Sequence, residues 1–316
     1  MATGLTDSLA GLPKNAGPRE LYARFKVHKF LGKGSLGSMY LARALEDDAE
    51  YAVKEIDVKQ LSDEEKDAAA DEIYKLSSVQ HPCCTPIYDV FVDNSAICIV
   101  MGYVPGSNLA GLVQQGARAG KLMQETLIWK YFIQACYGLR AYHYNGILHR
   151  NIKPSNMHAT PNQHLLLHEP GMVELLRAGK SQATVTAPKY MAPELWEGQP
   201  FAFAADIWAL GCVLYELCTY KVPFEARTVQ ELQLQVARGR FAPISAKYSP
   251  ELAKVVYSLL AKDPSQRPNI EQILSSKVMT HYSSILGLEE VAYYSVHPCA
   301  APAAAAAPEA GGAPTQ

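Results

Sequence analysis

The sequence predicts an α+β chain with a small strand-rich lobe followed by a larger, mainly helical lobe. Three observations predict it. Residues 25–103 carry short segments of β-type composition around a glycine cluster, at 25–31, 38–42, 51–57 and 96–103. Residues 104–281 change to helical patterning, long over 125–145 and 205–220 and shorter over 250–260 and 270–275. The 316 residues are 48% hydrophobic and 19% charged, which is ordinary globular usage and enough to build a core.

The elements follow in order. Residues 1–24 include Gly4, Pro13, Gly17 and Pro18 and read as an extension with little structure of its own. No basic stretch with a following apolar run opens the chain, so no signal peptide is expected. The strands at 25–31 and 38–42 flank the glycines, and the charged turn Glu46-Asp47-Asp48 leads into the strand at 51–57. One helix interrupts the strands over 63–79, with Ser62 as N-cap and Glu65 three residues on as its box partner. The helical lobe closes at 281, and residues 282–316 run into an Ala/Pro/Gly-rich tail without periodicity.

Charge and cysteines bound the function. The 29 basic and 31 acidic residues give a net charge of −2, which argues against nucleic acid or an anionic membrane surface as partner. The seven cysteines (83, 84, 98, 136, 212, 218 and 299) include no C-x-x-C pair, so free thiols in a reducing compartment are expected. No uncharged run approaches the ~20 residues that span a bilayer. The expected location is cytoplasmic.

Chemistry enters with Gly32-Lys33-Gly34-Ser35-Leu36-Gly37, a G-x-G-x-x-G. Glycines let a backbone turn tightly and approach phosphates. In a dinucleotide-binding fold such glycines open a helix and an acidic residue follows ~20 positions later, a place Asp57 would fill. Here the glycines are followed by a strand, a charged turn and another strand. That is a hairpin, and a glycine hairpin folded over a nucleotide is the competing context. Lys54 then stands on the second hairpin strand, and Glu72 stands eighteen residues further on, inside the expected helix. A lysine on the α- and β-phosphates, held by a helix glutamate, suits phosphoryl transfer.

With these residues the chain resembles the eukaryotic protein kinases, most closely the NIMA-related Ser/Thr kinases, over residues 25–281. Further motifs carry the resemblance. His149-Arg150-Asn151-Ile152-Lys153-Pro154-Ser155-Asn156 matches the catalytic loop, and Ala192-Pro193-Glu194 closes the activation segment. Asp206-Ile207-Trp208-Ala209-Leu210-Gly211 matches the core helix of the large lobe, and Arg267 matches the late arginine that pairs with Glu194. Ile99–Tyr103 looks like the hinge, with Met101 at the gatekeeper position. The resemblance implies a bilobal kinase fold with ATP and Mg as cofactors. The nucleotide contacts it implies are Gly32, Gly34, Gly37, Met39, Ala52, Lys54, Glu72, Met101, Tyr103, Asn108 and His158. It implies Lys153 on the transferring phosphate, Asn156 and Glu169 as metal ligands, and Asp206 anchoring the catalytic-loop backbone. Its surroundings would be cilia, centrosomes or microtubules, with an unidentified protein partner there.

Two departures bear on activity. Asn151 stands where the family has the aspartate that accepts the substrate proton. A neutral amide is no base, and loss of a general base costs about 10²–10⁴ in rate. Glu169-Pro170-Gly171 stands in place of Asp-Phe-Gly. The extra methylene displaces a carboxylate that must meet near-ideal octahedral geometry. Pro170 leaves empty the volume of a phenylalanine that, in the family, stacks with His149 and Leu76, and it stiffens the segment. Gly102, Thr186-Ala187 before Pro188, and His158 are smaller departures; Thr184 and Thr186 are candidate phosphorylation sites. The leading expectation is a pseudokinase that holds a partner, with ATP as a structural ligand. The alternatives are a weak or unconventional Ser/Thr kinase, with Glu169 on Mg or Mn, and a structural subunit that binds no nucleotide.

Overall fold

The computed structural model describes residues 20–33, 37–59, 61–168 and 188–288. Its small lobe is a five-stranded antiparallel sheet in the order β1-β2-β3-β5-β4, from β1 (Phe25–Lys33), β2 (Ser38–Ala44), β3 (Glu50–Asp57), β4 (Ile87–Asp93) and β5 (Ala96–Gly102). Alternation sorts the side chains of β5. Ile97, Ile99 and Met101 pack with Ile56 and Ile73 on the face under helix α2 (Asp63–Lys75). Cys98 and Val100 pack with Phe25 and Val53 on the other face. The cap of α2 is as the sequence predicts: Ser62 Oγ accepts from the Glu65 amide, and Glu65 accepts from the Ser62 amide at 2.8 Å.

Two features of this lobe differ from the sequence reading. Part of the expected extension is helical: α1 (Glu20–Arg24) lays Leu21 on the second sheet face, where it joins the core. The Leu21 amide donates to Asp93, and the Arg24 guanidinium pairs with Asp89 and lies 4.6 Å from the centre of the Phe91 ring. Five residues are too few to show a period. Strand β4 was also not expected. It is an edge strand interrupted by Asp89 and Asp93, whose carboxylates serve α1, so its polar positions are structural.

The large lobe holds α3 (Leu109–Ala119), α4 (Glu125–Tyr144), α5 (Pro193–Trp196), α6 (Phe203–Thr219), α7 (Val229–Arg238), α8 (Pro250–Leu259), α9 (Ile270–Leu274) and α10 (Lys277–Ile285). α4 and α6 are apolar nearly all round and form its centre, as expected of helices surrounded by protein. α3, α7 and α10 were not expected. Gly111 and Gly116 dilute α3, Gln-Glu-Leu-Gln-Leu-Gln in α7 alternates like a strand, and α10 mixes Val278, Thr280, Tyr282 and Ile285, which favour strands. Tyr282 stacks on Trp129 at 4.7 Å, the Tyr137 hydroxyl meets Ser283 at 2.9 Å, and Leu288 is buried. The ordered lobe therefore passes the expected boundary at 281.

A second sheet joins the lobes: β6 (Ser107–Asn108), β7 (Met157–Ala159) and β8 (Leu165–Leu167), antiparallel in that order. Residues 83–85 run beside β8. The Leu167 amide donates to Cys83 at 2.8 Å, and the Thr85 amide to Leu167 at 2.9 Å. Val79, Cys83 and Cys84 thus belong to the large-lobe core although they precede the boundary expected at 103. α4 comes against this junction through Gly138. A Cβ there would stand 2.7 Å from the Cys83 carbonyl oxygen and 2.9 Å from Leu167 Cδ1.

Just before α5, the Tyr190 hydroxyl donates to Glu216 on α6 at 2.7 Å. Burial raises the Glu216 carboxyl above its ordinary 4.5, and the hydroxyl partly opposes that rise. A raised carboxyl stabilises the fold fully below pH 4.5, and that contribution is lost as pH climbs through the folded-state value. Tyr190→Phe removes the opposing hydrogen bond. Its stability deficit is expected to be about 1–3 kcal/mol at pH 8 and clearly smaller at pH 5, measured by urea unfolding. A deficit independent of pH would contradict this account. Among the described residues, no helix is long and apolar enough to cross a membrane.

Candidate nucleotide cleft and catalytic loop

The small-lobe side of the cleft is set by strand register. Gly32 pairs with Met39, Met39 with Lys54, and Ala52 with Met101. Ala52 and Lys54 lie two apart on β3, so they share the sheet face that looks toward α2 and the large lobe. Lys54 is only 2% exposed, an unusual place for an ammonium unless something nearby needs its charge. Gly37 is required where it stands: a Cβ would lie 1.9 Å from the Glu55 carbonyl oxygen. The expected partner Glu72 lies on α2, but its side chain is outside what is described, as is the whole of Gly34. Met101 is buried at the end of β5, and Tyr103 is half-buried just past it.

The large-lobe side is a loop held by its backbone. Asp206, wholly buried on α6, accepts the His149 and Arg150 amides at 2.8 Å each and meets His143 Nε2 at 2.9 Å. This is the anchoring role the resemblance implies. It holds Arg150 at a φ of 59°, in the left-handed region that non-glycine residues seldom adopt. His149 is buried, edge-on to Tyr142. Asn151 is 5% exposed, with its backbone N–H donating to His149 Nδ1 at 3.4 Å. Asn156 Nδ2 donates to the Asn151 carbonyl at 2.9 Å, and the His168 amide donates to the Asn156 carbonyl at 2.8 Å. Asn151, Asn156 and the end of β8 are thereby brought together, with Lys153 half-buried between the two asparagines in sequence.

The floor of the cleft is not aliphatic. His158 on β7 lies 4.1 Å, ring to ring, from His168, and its register partner is Asn108. The Asn108 side chain caps α3 by accepting the Gly111 amide at 3.0 Å, so one of its polar atoms serves the fold. Burial, with His158, Lys54 and His149 as neighbours, holds the His168 imidazole well below its ordinary value and therefore neutral. Sequence reasoning did not select His168. A histidine between Leu167 and Glu169 has no motif role, and only the second histidine at 158 hinted at a pair.

The described residues fit the nucleotide half of the expected cofactor pair: a buried cation, a glycine hairpin and an apolar wall at Ala52 and Met101. For a divalent metal they supply the amide oxygen of Asn156. Among the described residues, no cluster of three or more His, Cys, Asp or Glu side chains is placed to hold a metal. Glu169, Pro170, Thr184, Thr186 and Ala187 lie outside the described residues.

The family model for the protein kinase domain matches residues 25–279. The chain belongs to the protein kinase domain family. Its curated relatives include Nek-type Ser/Thr kinases. It is 37% identical to the serine/threonine-protein kinase Nek8 of Danio rerio over 257 residues, which is 81% of this chain and 37% of that protein. It is 36% identical to Nek1 of Mus musculus over 257 residues, 81% of this chain and 21% of that protein. With Nek5 of Homo sapiens it shares 35% over 254 residues, 79% of this chain and 36% of that protein. The chain thus spans well under half the length of these relatives.

Proposed function

We propose that this kinase domain is a Nek-type pseudokinase: its cleft takes a nucleotide, and the domain works by holding a protein partner instead of transferring phosphate. Asn151 carries the reading. It is buried in the loop whose motif matches the family's catalytic loop, yet its side chain is a neutral amide that cannot accept the hydroxyl proton of a substrate. Glu169-Pro170-Gly171 in place of Asp-Phe-Gly adds a second, independent lesion. Retention of Gly32, Gly37, Lys54, Lys153 and Asn156 supports nucleotide binding, since each belongs to the phosphate site that the kinase motifs imply, with Gly37 and Asn156 serving the fold as well.

In this reading Lys54 offsets the charge of the phosphates, and the hairpin at Gly32 to Gly37 closes over them. Ala52 and Met101 line the base, and Lys153 and Asn156 orient the terminal phosphate. When bound, a divalent metal would supply further charge neutralisation, with Asn156 and Glu169 as the residues to hold it. The partner would belong to microtubules, centrosomes or cilia, in the cytoplasm, by analogy with the Nek family.

The test is paired. ATP at about 100 times its Kd is expected to stabilise the protein by about 2.7 kcal/mol, and Lys54→Ala to abolish the shift. The same protein, given Mg-ATP and generic protein acceptors, is expected to show no transfer above the Lys54→Ala background. Transfer that disappears in Lys54→Ala would overturn the reading in favour of a weak kinase. An absent ATP shift would favour a domain whose cleft has no ligand.

A further inference from the structure

We propose that His168 is a ligand contact of the cleft, its Nε2–H donating to a phosphate oxygen of the bound nucleotide beside the Lys54 ammonium. This rests on the nucleotide-binding reading above and adds a residue that the kinase motifs do not assign.

The observations are geometric. His168 follows β8 at the junction of the lobes and is 7% exposed. Its Nε2 is fully buried and has no hydrogen-bond partner among the described residues. Buried polar side-chain atoms are nearly always paired, and the exceptions concentrate where a ligand or solvent completes the site. The ring is not free to seek a partner elsewhere. Its backbone amide is tied to the Asn156 carbonyl at 2.8 Å, and its face lies against His158 at 4.1 Å and 45°. The groups that act on it come from both lobes: Lys54 from β3, His158 from β7 and His149 from the catalytic loop. All are cationic or potentially cationic, so the position favours an anionic or oxygen-rich ligand. A neutral imidazole can still donate one N–H to such an oxygen. Phosphate fits because it is the part of a nucleotide that the neighbouring Lys54 would also meet.

The test compares Mg-ATP and adenosine on the full chain, by calorimetry, for wild type, His168→Leu and His168→Gln. Losing one such hydrogen bond is expected to raise the Kd for ATP about tenfold in His168→Leu and to leave adenosine within about twofold. His168→Gln retains an N–H donor and is expected to recover to within about threefold of wild type. Without ligand, His168→Leu is expected to melt at or above the wild-type temperature, because it removes an unpaired buried atom. In ¹⁵N spectra, the His168 Nε2 signal is expected to move with ATP and stay still with adenosine.

Equal ATP affinity in wild type and His168→Leu would overturn the proposal while leaving nucleotide binding intact. Equal losses for ATP and adenosine would also overturn it, moving the contact to the nucleoside. A His168→Leu variant that melts lower without ligand, together with an Nε2 signal unmoved by ATP, would assign the residue to packing. If wild type binds neither ligand, the nucleotide-binding reading fails and this proposal fails with it.

Discussion

Replacing Arg267 with alanine is expected to lower the melting temperature by about 6–20 °C, from a loss of about 3–5 kcal/mol in a domain of this size. The reason is complete use of the guanidinium. Nε donates to Ala261, Nη1 to Glu194 and to the Ala204 carbonyl, and Nη2 to Glu194 and to the Lys262 carbonyl, at 2.7–3.0 Å. An arginine has five N–H donors, and here all five are paired. The group is shielded from water and lies 5.0 Å from the centre of the Trp208 ring. Alanine leaves Glu194 and three carbonyls without their donor. Lysine is expected to rescue little, because one ammonium cannot reproduce a planar fork. In Arg267→Ala/Glu194→Ala, the combined loss is expected to fall short of the sum of the single losses by at least 1 kcal/mol. Additive losses would show that the pair does not act as a unit.

Asp206→Ala is expected to cost about 3–5 kcal/mol and to release the catalytic loop specifically. One carboxylate takes two backbone amides and an imidazole nitrogen. The left-handed Arg150 is held against its own preference by this bond. Hydrogen exchange at residues 149–151 is expected to accelerate well beyond that of α4, where the ladder is intact. Uniform acceleration would mean that the variant merely destabilises the whole lobe. Asp206→Asn separates the two effects. It keeps the volume and one acceptor oxygen, and it points N–H groups at a donor, so local release is expected to exceed global loss.

The architecture was legible where the local signal and the tertiary need coincide. Ser62 and Glu65 cap α2 as their spacing implies, and the strands holding Lys54 and Met101 stand within a residue or two of where β composition places them. Legibility failed where a segment is shaped by what it covers. α1 exists because Leu21 closes a sheet face, and α10 exists because Tyr282 and Ser283 meet α4. The boundary between lobes failed for a related reason: residues 83–85 are bound to β8, a partner more than eighty positions away. Within the site, the placement of Lys54 on β3 and of Asn151 and Asn156 on one loop was legible from motif spacing. His168 was not, because its meaning lies in burial and in the ring beside it.

The cysteines have a practical consequence. Six are buried in the described core outside any disulfide, with Cys98 in the small lobe, Cys83 and Cys84 at the junction, and Cys136, Cys212 and Cys218 around α4 and α6. Burial pushes the Cys83, Cys84, Cys136 and Cys212 thiols well up and Cys218 to about 12. Because the thiolate is the attacking form, an alkylating reagent at pH 8 reaches these positions only when the surrounding fold opens. Each lobe therefore carries its own chemical clock. Mass spectrometry of a timed alkylation reads whether the two lobes open together or in turn, with no added probe.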